Sequence, residues 1–405
     1  MENYNLLTSS RTLALVKYLF FINLFLASFY LTYHQAVQEP LFEGDAIKVE
    51  AYPSDTLQHI EFIQQLFDGE IYIAHPLWHI CTYSISKLTT LTLEFSAAIV
   101  SSLTLLVWAL LIYYTLRKTL YTTLKDLAPY RQEFLLLSST ISLFFIAPLV
   151  FPPYNHLIAR GVGSPNLWHN VTLWTVKPFA LLGVLLTFWA IQQQTTKLYI
   201  LAITTILLSI FAKPSFIIMF LPALVLFFFY KKEFAKPNIK FLLTIITLSV
   251  LVLAFQYINT YDFNIKKKII IDFLGVWSTQ TSSISMSLLL VLLLPVLVYK
   301  FSPTAQKNDL LTFSWLQVLI GIMLFATFAE EGRQYLHGNF GWSYQIALSL
   351  LYIFSMAEFL SSYSLLSKLK RYILLFLFIV QTYIGLEYFY KILLGRNPLY
   401  ISILF

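Results

Sequence analysis

The stretch "TLALVKYLFFINLFLASFYLTY", residues 12–33, is apolar throughout except for Lys17 and a few small polar side chains. A helix of about 20 apolar residues is long enough to cross the ~30 Å hydrocarbon core of a bilayer. The run is too long for the apolar part of a signal peptide, and no clear small-residue cleavage site follows it. We therefore expect a retained first transmembrane helix.

Similar runs recur along the whole chain. Of its 405 residues, 58% are hydrophobic and 12% are charged, whereas a soluble domain carries roughly 25% charged residues. The mean hydropathy is +0.71. These values predict an all-α polytopic transmembrane helix bundle that forms a single integral membrane domain over residues 1–405. We expect about eleven spans, at 12–33, 95–115, 134–152, 174–192, 198–212, 215–230, 241–258, 284–299, 310–329, 342–362 and 372–390.

The charge distribution predicts the orientation of these spans. With the N-terminus in the cytoplasm, most of the 27 Lys and Arg residues fall on the inner side of the membrane, in short loops where positive charge normally accumulates. All seven His then lie on the outer side. A single cysteine, Cys81, cannot form an internal disulfide.

The first outer loop, about residues 34–94, is the longest loop, and loops of this length are usually functional or internally structured. Its segment 52–80 is unusually rich in ionisable side chains for this chain. They are Asp55, His59, Glu61, Asp68, Glu70, His75 and His79.

The sequence "SDTLQHIEFIQQLF", residues 54–67, predicts an amphipathic helix in this loop. Ser54 or Asp55 is a suitable N-cap, and His59 would lie one turn after Asp55. The apolar side chains fall on one side, so we expect the helix to lie on the membrane surface. They are Leu57, Ile60, Ile63 and Phe67.

A second loop helix is predicted in "AHPLWHICTYSISKL", residues 74–88. Pro76 suits the first helical position. His75 would then precede this helix and His79 would lie one turn inside it. The two helices together predict a polar seam between them.

Three later outer segments are also rich in polar side chains: 156–179, 259–273 and 329–342. Their cations oppose the inner-side bias, and a phosphate ligand at the membrane surface would account for them. The candidate phosphate-binding residues are Arg160, Lys266, Lys267, Lys268 and Arg333. Further site candidates in the outer segments are His75, His79, His169, Asn170, Lys177, Glu330, Glu331 and His337.

An inner N-terminus, one helix and then a long acidic outer loop with an interfacial helix resembles the GT-C superfamily of polytopic membrane glycosyltransferases. The resemblance implies transfer of a sugar from a polyprenyl-phosphate carrier to a glycan or lipid acceptor at an extracytoplasmic active site. It also implies membrane lipids and no nucleic acid as partners, an acid of the first outer loop as the catalytic residue, and later basic residues as the phosphate site.

Two places in the loop fit the catalytic acid, and the choice between them stays open. One is the "EGD" triplet with Glu43 and Asp45, and the other is Asp55 with His59 beside it. A carboxylate at the interface can deprotonate the acceptor hydroxyl, and cations can stabilise the departing phosphate. We expect no required cofactor for a monophosphate donor. A diphosphate donor could use a divalent metal, with Asp55, His59, His75 and His79 as candidate ligands.

Simpler roles compete with these assignments. Asp55 could only cap its helix, Lys266–Lys268 could only bind anionic lipid headgroups, and the acids beside Arg333 could form a local ion-pair group. Three other functions also remain open. They are an O-antigen or polysaccharide polymerase that depends on outer arginines, a transporter or flippase for a lipid-linked substrate, and a membrane acyltransferase.

Overall fold

The computed structural model describes residues 10–38, 42–43, 46–47, 54–151, 161–260 and 268–395. The protein is an all-helical bundle, and within these residues eight helices are long and apolar enough to cross a membrane. It is thus consistent with an integral, multi-pass membrane protein. Every predicted span overlaps a helix, while the number of crossings and their orientation remain predictions.

The helices follow one another with short connections over most of the chain. Their bounds are α1 Ser10–Val37, α2 Thr56–Phe67, α3 Leu77–Thr89, α4 Leu93–Thr119, α5 Tyr121–Leu124, α6 Pro129–Phe145, α7 Val171–Gln193, α8 Thr196–Ala212, α9 Ser215–Lys231, α10 Lys236–Thr260, α11 Gly275–Gln280, α12 Ile284–Phe301, α13 Asp309–Thr327, α14 Gly341–Ser361 and α15 Lys368–Leu393. Both helices expected in the first outer loop are present, as α2 and α3.

Two short antiparallel sheets of two strands each accompany the bundle. In the first, β1 (Phe42–Glu43) pairs with β2 (Ala46–Ile47). In the second, β3 (Ile269–Ile271) pairs with β4 (Phe328–Glu330), with Ile270 opposite Ala329. A 3₁₀-helix, Gly332–His337, follows β4 directly. The second sheet, called the β3–β4 sheet below, therefore joins the connection before α11 to the one before α14.

Helices α7 and α14 form the centre of the bundle. Every residue of α14 from Gly341 to Phe359 is buried, and most of α7 is buried as well. A helix that is apolar on all sides must be surrounded by other helices. The most extensive contacts pair α13 with α14, α7 with α8, and α1 with α4.

The predicted span 134–152 is too long at its C-terminal end. Helix α6 ends at Phe145, and residues 146–151 are not helical. Pro148 disfavours a helical conformation at the preceding residue. The non-helical backbone finds other partners, since the Ala147 N–H donates to the Gln381 carbonyl at 3.2 Å. The Asn166 side chain donates to the Ile146 carbonyl at 3.0 Å.

The turns alternate between two ends of the bundle. At one end, Lys231 after α9 forms an ion pair of 2.6 Å with Asp309 at the start of α13. At the same end, Glu358 accepts a hydrogen bond of 2.8 Å from Asn308. The opposite end carries α2, α3 and the β3–β4 sheet, and it is called the Asp55 end below.

Helices α13 and α14 are in backbone contact at Gly321. A Cβ at this position would lie 2.7 Å from the Tyr344 Cα and 2.9 Å from its backbone nitrogen. Because these are backbone atoms of a buried helix, they cannot move aside cheaply.

We expect Gly321→Ala to lower the thermal stability of the purified protein in detergent, because the added methyl group forces α13 away from α14. Gly183→Ala is the matched control, since its Cβ would meet a side-chain atom of Ile206 at an ordinary 3.4 Å. The control should melt at or above the wild-type temperature, as alanine favours a helix over glycine. Equal melting temperatures for the two variants would contradict this packing.

The orientation can be tested by cysteine labelling in a Cys81→Ala background, because Cys81 is the chain's only cysteine. Leu88, exposed in the last turn of α3, should label from outside with an impermeant reagent when replaced by cysteine. Asp126, exposed near the opposite end, should label only after the membrane is permeabilised. The reverse pattern would overturn the predicted orientation.

Candidate active site around Asp55

The Asp55 carboxylate does not cap helix α2. No cap hydrogen bond comes from its side chain, and the Ser54 hydroxyl instead accepts from the Thr56 N–H at 3.1 Å. The backbone N–H of Asp55 donates to the His169 carbonyl at 3.1 Å. The start of α2 is therefore fastened to the loop before α7, and the carboxylate is free to face other groups.

Asn170 is the closest partner of this carboxylate. Its side-chain amide donates to Asp55 Oδ2 at 2.6 Å. Asn170 is also the N-cap of α7, where its Oδ1 accepts from the Leu173 N–H at 2.7 Å. One buried amide thus caps a central helix through its oxygen and holds the carboxylate through its nitrogen.

Lys213 brings an ammonium group to this site from the tight turn between α8 and α9. Only 6% of this residue is exposed. Its ammonium donates to the Thr172 hydroxyl at 2.9 Å and approaches Asn170 Oδ1 at 3.5 Å. It also lies 4.9 Å from the centre of the Trp342 ring, within cation–π range.

Two histidines extend the cluster across the seam between α2 and α3. His59 Nε2 lies 3.6 Å from Asp55 Oδ2. His59 Nδ1 and His79 Nε2 share a hydrogen bond of 2.9 Å, and His79 is completely buried. The expected seam between the loop helices is therefore a direct contact of their side chains.

The environment separates the charges of these groups. Burial raises the pKa of Asp55, but His59, His169 and Lys213 outweigh it, so the pKa lies below its ordinary value. Burial and the nearby His59 lower the pKa of His79 to about 3. Burial lowers the pKa of Lys213 to about 8. At neutral pH the site therefore holds a carboxylate, an ammonium and a neutral His79.

His75 belongs to the same region. Burial, followed by the charges of Lys213, His59 and His79, lowers the pKa of His75 well below its ordinary value. Lys213, His59 and His79 act on His75 together, so the sequence candidates His75 and His79 are brought together with Asp55 and His59. We name Asp55, His59, His79, Asn170, Thr172 and Lys213 the Asp55 cluster.

A polar path leads from this cluster to the β3–β4 sheet. The Trp342 ring packs near His169, with 6.1 Å between ring centres, and its indole N–H donates to Asn339 Oδ1 at 3.2 Å. The Asn339 amide donates in turn to the Glu330 carboxylate. Glu330 therefore lies at the far end of the path that starts at Lys213.

The segments that carry the predicted phosphate-binding cations meet near the β3–β4 sheet. The Trp277 indole of α11 donates to the Gly161 carbonyl at 2.8 Å, and the Glu331 N–H donates to the Lys268 carbonyl at 2.8 Å. Lys268 is exposed. Arg160, Lys266, Lys267 and the side chain of Arg333 lie outside the described residues, so their convergence remains a prediction.

The remaining candidates are in other places or outside the described region. Glu331 and His337 are exposed. Glu43 is in β1, but its side chain and the whole of Asp45 lie outside the described residues. The ring of His169 is half-buried, and it is the backbone carbonyl of this residue that holds α2.

Lys177 has a different environment from the Asp55 cluster. It is buried inside α7, and its ammonium donates to the Pro165 carbonyl at 2.7 Å and to Asn166 Oδ1 at 2.9 Å. The Asn166 amide donates to the Leu143 carbonyl at 2.9 Å. Lys177 therefore holds the loop before α7 against α7 itself, and Asn166 in turn fastens this loop to α6.

Among the described residues, no group of three or more His, Cys, Asp or Glu side chains is placed to hold a metal ion. Instead of converging on a common point with a third ligand, His59 and His79 bond to each other. An apolar groove of about 650 Å³ lies between α9, α12 and α13, toward the end opposite Asp55, with Tyr230 and Lys300 in its lining. It is separate from the cluster.

Sequence reasoning missed Lys213 and Thr172. Thr172 lies in the polar outer segment 156–179 and Lys213 between the predicted spans 198–212 and 215–230, but neither is among the site candidates of the sequence analysis. The available signal for Lys213 was its position, because it is a lone cation between two apolar helices on the predicted outer side, where Lys and Arg are scarce.

No protein-family model matches this chain, and no curated protein matches it at a significant level. The residues and contacts of the Asp55 cluster are therefore the basis for the functional argument.

We expect Lys177→Met to lower the free energy of unfolding by roughly 1–3 kcal/mol, because it leaves a buried amide oxygen of Asn166 without its donor. Thermal melting in detergent measures the effect. Lys87→Met is the control, since Lys87 is exposed and lies 5.2 Å from the Tyr83 ring centre. An unchanged melting temperature for Lys177→Met would show that Lys177 does not fasten this loop.

Proposed function

We propose that the protein is a membrane glycosyltransferase of the GT-C type, which moves a sugar from a polyprenyl-phosphate carrier to a glycan or lipid acceptor. Asp55 is the general base in this proposal. The observation that carries it is the position of the Asp55 carboxylate, which is held by Asn170 and His59 and does not cap its own helix.

The two carboxylate oxygens of Asp55 are not equivalent. Oδ2 accepts from Asn170 at 2.6 Å. Oδ1 is buried and accepts no hydrogen bond from the residues that the structure describes. A buried carboxylate oxygen without a donor is costly, and a catalytic role is one explanation for such a group. In this proposal the bound acceptor approaches Oδ1, whose lone pairs are uncommitted, and gives its hydroxyl proton to this oxygen.

The reaction then proceeds as a displacement at the anomeric carbon. The acceptor oxygen forms a bond to this carbon, and the bond from the carbon to the carrier phosphate breaks. Asp55 Oδ1 takes the hydroxyl proton, and the polyprenyl phosphate leaves with the electron pair. Charge develops on the phosphate, so cations near it lower the barrier.

The outer cations are the proposed phosphate site. The segments that approach α11 and the β3–β4 sheet carry Arg160, Arg333 and the cluster Lys266–Lys268. The path through Trp342 and Asn339 leads from this sheet to Lys213. A carrier phosphate between the β3–β4 sheet and the Asp55 cluster would thus lie within reach of both the base and the cations.

We expect Asp55→Asn to reduce sugar transfer by roughly 10²–10⁴-fold, because it removes the general base and preserves the shape of the side chain. The measurement is transfer from a polyprenyl-phosphate-linked sugar in proteoliposomes. Glu61→Gln is the matched control, since it makes the same kind of change at an exposed position of α2 and should retain full activity.

Two outcomes would contradict this assignment. If Asp55→Asn is active and Asp45→Asn is not, the base is the acid of the "EGD" triplet. If both are active and Arg333→Ala abolishes transfer, a polymerase that depends on outer arginines replaces the carboxylate mechanism.

A further inference from the structure

The donors behind Asp55 form a chain with a single direction. The Lys213 ammonium donates to the Thr172 hydroxyl at 2.9 Å, and this hydroxyl donates to Asn170 Oδ1 at 3.0 Å. The Asn170 amide then donates to Asp55 Oδ2 at 2.6 Å. Lys213, Asn170 and Thr172 are all buried, so this chain is shielded from water.

The chemistry of its members fixes that direction. A protonated lysine has only donors, so Thr172 must accept from Lys213 and direct its own proton toward Asn170. The Leu173 N–H is also only a donor, and it points at the same Asn170 oxygen at 2.7 Å. The Asn170 amide group therefore cannot turn round, and its nitrogen must face the carboxylate.

We propose that Lys213, acting through Thr172 and Asn170, is a positioning residue that commits Asp55 Oδ2 to accepting a hydrogen bond and leaves Oδ1 as the reactive oxygen. This inference rests on the proposed function for the identity of the reaction. The state of the carboxylate itself can be measured without the reaction. In a buried chain each bond polarises the next, so the chain also stabilises the ionised form of Asp55.

Other charged or titratable groups face Asp55 as well. His59 approaches from its own helix, with His79 bonded behind it, and His169 approaches from the loop before α7. The histidines lie on the α2, α3 and loop side, whereas Lys213 acts from the turn between α8 and α9. The two sides can therefore be perturbed separately.

The sharpest test is Thr172→Val, which removes the hydroxyl of the chain and keeps the volume of the side chain. Thr175→Val is the matched control, because Thr175 is buried in the same helix and its hydroxyl only donates to the Val171 carbonyl at 2.8 Å. We expect Thr172→Val to lower kcat about tenfold with KM within about twofold. Thr175→Val should leave both near the wild-type values.

The pH dependence gives a readout that a purely structural role would not change. Because the chain favours the ionised carboxylate, its loss raises the pKa of Asp55, and the acid limb of the kcat profile moves to higher pH. Infrared titration can follow the carbonyl stretching band of the protonated carboxyl, which is assigned with Asp55→Asn. The pH at which half of this band is lost should be higher in Thr172→Val than in the wild type. It should not move in Thr175→Val.

Lys213→Met removes the origin of the chain and should act in the same direction as Thr172→Val. Because both changes interrupt one chain, the double variant should lose less activity than the product of the two single losses. Multiplying losses would mean independent effects and would overturn the proposal. So would an infrared titration of Asp55 that is the same in Thr172→Val and the wild type.

The two proposals fail in different ways. If Asp55→Asn abolishes transfer and Thr172→Val behaves like Thr175→Val, the positioning chain is wrong and the base assignment stands. If Asp55→Asn transfers sugar normally, the proposed function is wrong. The infrared shift then decides alone whether the chain controls the carboxylate.

Discussion

The Asn170 side chain is the constraint on which the site depends. Its oxygen satisfies one of the free N–H groups in the first turn of α7, that of Leu173, and its nitrogen is thereby aimed at Asp55. Because α7 is one of the two central helices, the direction of this amide is fixed by the core of the bundle. The carboxylate is held by a group that cannot rotate without uncapping that helix.

Much of the fold follows from hydrophobic pattern alone. Long apolar runs identified helices, and Pro76 and Ser54 marked where the two loop helices begin. The predicted end of α6 was wrong because apolar residues continue beyond Phe145, although Pro148 already disfavours a helix there. The backbone partners of Ala147 and Ile146 show that the helix has stopped. Such contacts join residues distant in sequence, and periodicity does not contain them.

The site was only partly predictable for a similar reason. Asp55, His59, His79 and Asn170 stood out because ionisable and amide groups are rare in this chain. Their mutual contacts did not, because His59 and His79 meet across two helices and Asn170 reaches Asp55 from a segment 115 positions later. Thr172 carried no signal at all, since a threonine inside an apolar helix commonly bonds to its own backbone.

The other buried charges of the bundle differ from Asp55. Lys177 is held by a carbonyl and an amide oxygen, and Glu358 accepts from Ser302, Thr304 and Asn308. Groups with several fixed partners stabilise one arrangement of helices, and this is what Lys177 and Glu358 do in the bundle.

The Asp55 cluster is assembled from four separate segments: the start of α2, the first turn of α3, the start of α7 and the turn after α8. In a chain that is made from its N-terminus, Asp55 exists long before Lys213 does. The loop helices α2 and α3 must wait for five further helices, α4 to α8, before their acid finds its full set of partners. The site is therefore complete only after α8 and the turn that follows it have been made, and a chain arrested within α8 would present Asp55 without the cation that orders its surroundings.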